Sequence, residues 1–149
     1  FAAAVDELVI KKIGMPNATF RPLEVMTKDF SQGHIAQGET PPAIVRPFTQ
    51  NTAQWAAGFL FAIAGEMARF TIALMNGGML DGQRVLSAAA VTAMTTGHRP
   101  IPANPESRYG YGLVVTQGKN GLVWQHGGSI NGFWSCARTD MQSICRRKT

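Results

Sequence analysis

The sequence predicts a mixed α/β chain of the α+β kind, in which helices are interspersed with antiparallel hairpins. Three observations carry this. Val5, Leu8, Val9 and Lys12-Ile13 follow helical spacing and end at Gly14, with Pro16 preventing resumption. Met67, Phe70, Ile72 or Ala73, and Leu74 mark the buried side of a second helix over residues 64–76, stopped by the left-handed pair Gly77-Gly78. Apolar runs at residues 109–115 and 122–126 flank Gly118-Lys119-Asn120-Gly121, the pattern of a hairpin.

The remaining elements follow in order. Residues 15–20 are a turn. Residues 21–54 carry no sustained periodicity and are punctuated by Pro22, Gly33, Gly38, Pro41, Pro42 and Pro47, which predicts a loop with short strands, one of them around residues 34–38. A loop of this length is uncommon unless it serves a function, although a lone loop histidine such as His34 is more often simply solvated. Glu66 suits the positive end of the second helix. Residues 79–86 read as a small hairpin with Asp81-Gly82 at its turn. Ser87 caps a helix running to about Thr95 and closed by Gly97. Residues 99–107 read as a Pro-rich loop.

Composition narrows the function classes. At 149 residues the chain fits one domain and can bury roughly 70% of its unfolded surface. No apolar run reaches the roughly 18–20 residues of a membrane span; Gly58, Gly65, Glu66 and Arg69 interrupt the nearest candidate. The net charge is +5, of which Arg138, Arg146, Arg147 and Lys148 less Asp140 supply +3. That basic tail lacks interleaved aromatics and any nucleic-acid motif, so it reads as a solvated end and not as a nucleic-acid site. Cys136 and Cys145 lack the spacing and flanking histidines of a metal site, and a disulfide between them stays open. The first residues, Phe-Ala-Ala-Ala, carry no signal peptide and read as cut from something longer.

One stretch points to chemistry. Trp124-Gln125-His126-Gly127-Gly128-Ser129-Ile130-Asn131-Gly132-Phe133 runs an apolar strand into a histidine and two glycines. Glycine weakens a strand and leaves nothing to pack, so a pair of them marks a place where another backbone or a ligand comes close.

His126-Gly127-Gly128 ahead of Asn131-Gly132-Phe133 resembles the third box of the serine β-lactamase-related family, which includes class C β-lactamases, penicillin-binding DD-peptidases, D-aminopeptidases and esterases. That box is Lys-Thr-Gly in the lactamases and often His-x-Gly in the esterases. Ile13-Gly14-Met15 with Asn17 and Thr19-Phe20 resembles the family segment that soon follows its second box. Residues 57–70 resemble the family passage Ala-Gly-Gly-Leu-Tyr-Ser-Thr-Ala-Ala-Asp-Leu-Ala-Arg-Phe, with Ala62 where the family has a capping Ser. Residues 79–95 and Tyr109-Gly110-Tyr111-Gly112-Leu113 resemble further family passages. The resemblance spans most of residues 1–133 and stops there.

The resemblance implies an antiparallel sheet flanked by helices, β-lactamase/transpeptidase-like and incomplete in this chain. Residues 1–135 would be the C-terminal part of such a domain and residues 136–149 a basic tail foreign to it. It also implies a serine hydrolase that acts through an acyl-enzyme on esters, D-amino-acid peptides or β-lactams, with no metal and no cofactor. By position, His126 replaces the Lys or His that orients or protonates around the nucleophile. Ser129 offers the backbone N–H of an oxyanion hole, and Gly127 and Gly128 keep the surface bare for substrate. The family's Ser-x-x-Lys and Tyr-x-Asn boxes do not occur in these residues. The chain alone is therefore expected to be inactive, with its unpaired sheet edges on the 109–115 and 122–125 hairpin inviting association. The alternative is a non-catalytic module of the same scaffold that binds a ligand or partner.

Overall fold

The computed structural model describes residues 1–36, 38, 40–46 and 51–140. They form two compact units: Phe1–Glu66 with Gly128–Ser135, and Met67–Gly127 with residues 136–140.

The first unit starts with α1 (Ala2–Val5), a wide helical turn at Asp6–Ile10, and α2 (Lys11–Ile13). The wide turn shifts the buried stripe. Leu8, which the spacing put on that stripe, is 60% exposed and Ile10 is buried in its stead, while Ile13 is buried as the spacing predicts. Gly14 stops the helix at φ 74°, where a side chain would be strained. Phe20 is then buried between Phe1 and Trp55, at ring-centroid distances of 5.4 and 5.9 Å. Thr19 and Phe61 exchange both backbone hydrogen bonds, at 3.0 and 2.9 Å.

Proline misled the reading of the next segment. Pro22 opens a short helix, α3 (Pro22–Val25), because at the first helical position its missing N–H costs nothing. β1 (His34–Ile35) pairs antiparallel with β2 (Ala43–Ile44), in keeping with the extended piece predicted at His34. Glu66 is buried, and its Oε1 accepts hydrogen bonds from the Asn17 backbone N–H at 3.0 Å and from Asn17 Nδ2 at 2.9 Å. Its place in the first helical turn is thus only part of its role.

α4 (Ala64–Met75) matches the predicted helix. Of the two alternatives on its inner side, Ala73 is buried and Ile72 is exposed. Gly77 and Gly78 follow at φ 62° and 93°. In the second unit, β3 (Met79–Leu80) and β4 (Gln83–Arg84) form the expected hairpin, with Asp81 and Gly82 both left-handed. Ser87 caps α5 (Ala88–Thr95) by accepting the Ala90 N–H at 3.1 Å. Gly97 does not close that helix by a left-handed turn. It is small because a Cβ there would lie 2.4 Å from Arg108 Cβ. Leu74, Val91 and Leu113 form the core of this unit, with Phe70, Leu86, Met94 and Trp124 packed against them.

Five antiparallel neighbours build the sheet in the order β5 (Arg99–Ile101), β6 (Asn104–Tyr109), β7 (Val114–Gly118), β8 (Gly121–Ile130) and β9 (Phe133–Arg138). Two predictions are corrected here. Residues 99–107 are strands and not a loop: Pro100 sits in an edge strand beside a register shift, the setting in which a sheet tolerates proline. The single strand predicted at 109–115 is broken, because Gly110 N–H bonds the Leu113 carbonyl at 2.7 Å and Gly112 turns at φ 77°. Inside the sheet the buried Ser107 hydroxyl meets the Thr116 hydroxyl at 2.6 Å, directly across the β6–β7 pair.

The β7–β8 hairpin is flanked by β6 and β9, so it has no open edge of its own; the edge strands are β5 and β9. Beyond β9, Thr139 bonds both backbone groups of Trp124, and Arg138 pairs with Asp140 and with Gln125 Oε1. The Arg138 partner holds the Asp140 carboxyl below its ordinary range. Cys136 is not a free thiol. Cys145, Arg146, Arg147 and Lys148 lie outside the described residues. Among the described residues no helix is long and apolar enough to cross a membrane.

Candidate active site

β8 carries the site, and its local construction explains what is presented. A two-residue turn, Lys119-Asn120, joins Gly118 to its partner Gly121 and sets the register of the β7–β8 pair. In that register Thr116 faces Val123 and Val115 faces Trp124. Val123 is buried, and Trp124 packs against the core of the second unit. From His126 to Ile130 every residue of the strand is exposed.

Among the described residues His126 meets the Tyr109 hydroxyl. Its Nε2 lies 3.0 Å from the Tyr109 hydroxyl, and the two rings meet edge to face with centroids 6.1 Å apart. Strand alternation alone would separate them. Tyr109 pairs with Val114 and Val114 with Gln125, so Tyr109 shares a face with Gln125 while its neighbour His126 points the other way. The contact forms where the ladder ends: β7 begins only at Val114, and the phenol closes onto the imidazole past that end.

The glycines continue β8 in extended form. A Cβ at Gly128 would meet only Ser135 Oγ, at 3.7 Å, which is ordinary contact. Packing therefore does not demand glycine at this position, and its effect is to leave the strand surface bare. Ser129 follows on the exposed end of the strand. Asn131 and Gly132, at φ 48° and 77°, then turn the chain into β9. This turn is where glycine is obligatory. A Cβ at Gly33 would stand 1.7 Å from the Asn131 carbonyl oxygen, and the His34 N–H donates to the Gly132 carbonyl at 3.1 Å.

The four residues predicted from sequence are thus consecutive on one exposed strand segment. Tyr109 was missed as a partner of His126, and its position at the head of Tyr109-Gly110-Tyr111-Gly112 was the available signal. The His34 ring lies against the Gln32 carbonyl at 2.8 Å. Two shallow hollows, one bordered by Ile35 and Arg46 and one by Lys119–Val123 with Thr139 and Asp140, lie outside the His126–Ser129 segment. Among the described residues no cluster of three or more His, Cys, Asp or Glu side chains could hold a metal ion.

The beta-lactamase family model matches residues 1–142. The chain belongs to that family. A penicillin-binding protein homologue from Pyrococcus abyssi, described as octameric, superimposes with a TM-score of 0.69 at 20% identity, over 86% of this chain and 28% of its own. A D-stereospecific amidohydrolase from Streptomyces sp. superimposes with a TM-score of 0.62 at 26% identity, over 92% of this chain and 39% of its own. A class C β-lactamase does so with a TM-score of 0.71 at 14% identity, over 93% of this chain and 42% of its own. This beta-lactamase-family chain therefore spans well under half the length of these structures. Its mixed helices and antiparallel sheet are those of the β-lactamase/transpeptidase fold, and its family points to the serine hydrolase superfamily. No curated protein matches the chain.

Proposed function

We propose that these residues are the third-box portion of a serine hydrolase that works through an acyl-enzyme. The observation that carries this is the bare end of β8: a family strand in which Gly128, two residues beyond His126, is a glycine that packing does not require. In the proposed reaction a serine hydroxyl attacks the substrate carbonyl, the leaving group departs with a proton, and water then hydrolyses the ester formed. The acyl group lies along Gly127 and Gly128. The Ser129 backbone N–H stabilises the developing oxyanion, a contribution worth roughly 3–4 kcal/mol for one such donor. His126 supplies or orients a proton beside the acyl group.

Histidine in place of lysine favours neutral esters or D-amino-acid peptides over β-lactams, because it lacks the permanent charge that suits a substrate carboxylate. The likeness to a D-stereospecific amidohydrolase supports the peptide branch of that choice. A second reading is a ligand-binding module on the same scaffold, in which the bare strand holds a ligand without acylation.

Labelling separates the two. A fluorophosphonate and a penicillin are offered to the chain alone and to the chain joined to a polypeptide carrying both boxes. The expected result is no label on the chain alone and stoichiometric label on the Ser-x-x-Lys serine of the joined form. A label on any serine of residues 1–149 overturns the assignment of roles, and no label on either form favours the binding module.

A further inference from the structure

We propose that Tyr109 is the positioning residue for His126: its phenol donates to Nε2 and so fixes the imidazole proton on Nδ1. The inference rests on the acyl-site assignment of His126 and adds to it which nitrogen acts, and as what.

The support is geometric. His126 stands on the exposed part of β8, where burial does not restrict its ring. Tyr109, by contrast, has an anchored main chain. Its carbonyl accepts the His98 N–H at 2.9 Å, and it is in register with Arg99 on one side and Val114 on the other. The next residue is pinned as well, since a Cβ at Gly110 would lie 2.4 Å from the Met94 carbonyl oxygen and 2.7 Å from that of Thr96. That glycine lets the backbone press against the end of α5, and the tight turn from Gly110 to Leu113 fixes the direction in which the chain leaves. A phenol held from a rigid backbone, 3.0 Å from Nε2 and edge to face with the imidazole, restrains a ring that its own strand does not.

The direction of the hydrogen bond follows from acidity. A phenol O–H is a stronger acid than the N–H of neutral imidazole, and the imidazole lone pair is a stronger acceptor than a phenol oxygen. The favoured arrangement is O–H donating to Nε2, which leaves the ring proton on Nδ1. In its neutral form His126 then offers Nδ1–H as a hydrogen-bond donor, while its basic nitrogen is occupied by Tyr109. Such a group suits a substrate that presents an acceptor, such as the carbonyl or leaving-group oxygen of a neutral ester. It is a poor base toward a substrate proton.

The tautomer is readable directly on the whole chain. With 15N-labelled histidine, the ring nitrogens of the three histidines, His34, His98 and His126, are resolved above the imidazole titration range, and His126→Gln identifies the signals of interest. The expected wild-type pattern is the Nδ1–H form for His126. In Tyr109→Phe, which removes only the hydroxyl from a part-exposed ring, the Nε2–H form should become the major one while the backbone amide spectrum is retained.

A wild-type His126 in the Nε2–H form, or an unchanged tautomer in a folded Tyr109→Phe variant, overturns the proposal. The wild-type measurement needs no substitution, so a misfolded variant does not shelter it. A tautomer set by Tyr109 together with failed serine labelling of the joined form leaves the positioning role standing and removes the acyl-site assignment.

Discussion

The two halves of β8 are made of different materials. Residues 121–125 contain Val123 and Trp124, one buried and one against the core cluster, and they are locked by registered pairing to β7. Residues 126–130 contain a histidine, two glycines and a serine, all exposed. Glycine in a strand costs roughly 0.5–1 kcal/mol relative to alanine. At Gly128 no neighbour recovers that cost, since the nearest atom to an added Cβ lies at ordinary contact distance. Stability thus resides in the first half, and the second half is a surface kept accessible at the expense of stability. Gly33 and Gly132 supply the contrast, because there close backbone approach makes glycine structurally necessary.

The comparison can be broken most severely at Gly128. Gly128→Val should leave the unfolding free energy unchanged or raise it by up to about 1 kcal/mol, because valine favours a strand and an added Cβ meets only ordinary contact. Serine labelling in the joined form should disappear. Near-normal labelling would show that the bare surface is not where the acyl group lies. In the other half, Trp124→Ala should destabilise the chain by about 3 kcal/mol, at the low end for tryptophan truncation because the side chain is only partly buried. Denaturant titration reads this out, and a loss under 1 kcal/mol would mean that the first half of β8 does not hold the unit together.

The smallest effect belongs to the ion pair beyond β9. Arg138 holds the Asp140 carboxyl below its ordinary value of 3.8. A carboxyl with a depressed folded-state value contributes stability that is fully present above its unfolded value and is lost as pH falls through the folded value. Asp140→Asn should therefore flatten the acid limb of a pH–stability curve slightly, at and below about pH 4, and leave stability near pH 7 only marginally lower, since the pair is partly solvated. An identical acid limb in the variant would show that the pair does not form in solution.

Much of the organisation was written locally. Helical spacing with paired glycines located α4, Ser87 capped α5, and Asp81-Gly82 turned the β3–β4 hairpin, because each signal acts within a few residues of itself. The prolines were less legible. Pro22 starts a helix and Pro100 sits in an edge strand, and the same residue type reads as loop punctuation when its neighbours in space are unknown. The corner at Gly110–Leu113 was hidden for a related reason: an alternating Tyr-Gly pattern fits a continuous strand as well as a strand that turns and pairs with itself.

By itself, then, the sequence determined the N-terminal helix, α4 and α5, the tight hairpins, the resemblance to a hydrolase family and the His126–Ser129 strand segment. The tertiary structure alone decided three further things: that residues 99–109 join the sheet, that the buried Glu66 carboxylate receives Asn17, and that Tyr109 reaches His126. The last two join residues 49 and 17 positions apart in the chain, and the contact of Tyr109 with His126 runs against strand alternation. Local propensity acts over a few residues, whereas such contacts depend on where a ladder ends and which backbones press together, and no period in the sequence encodes that.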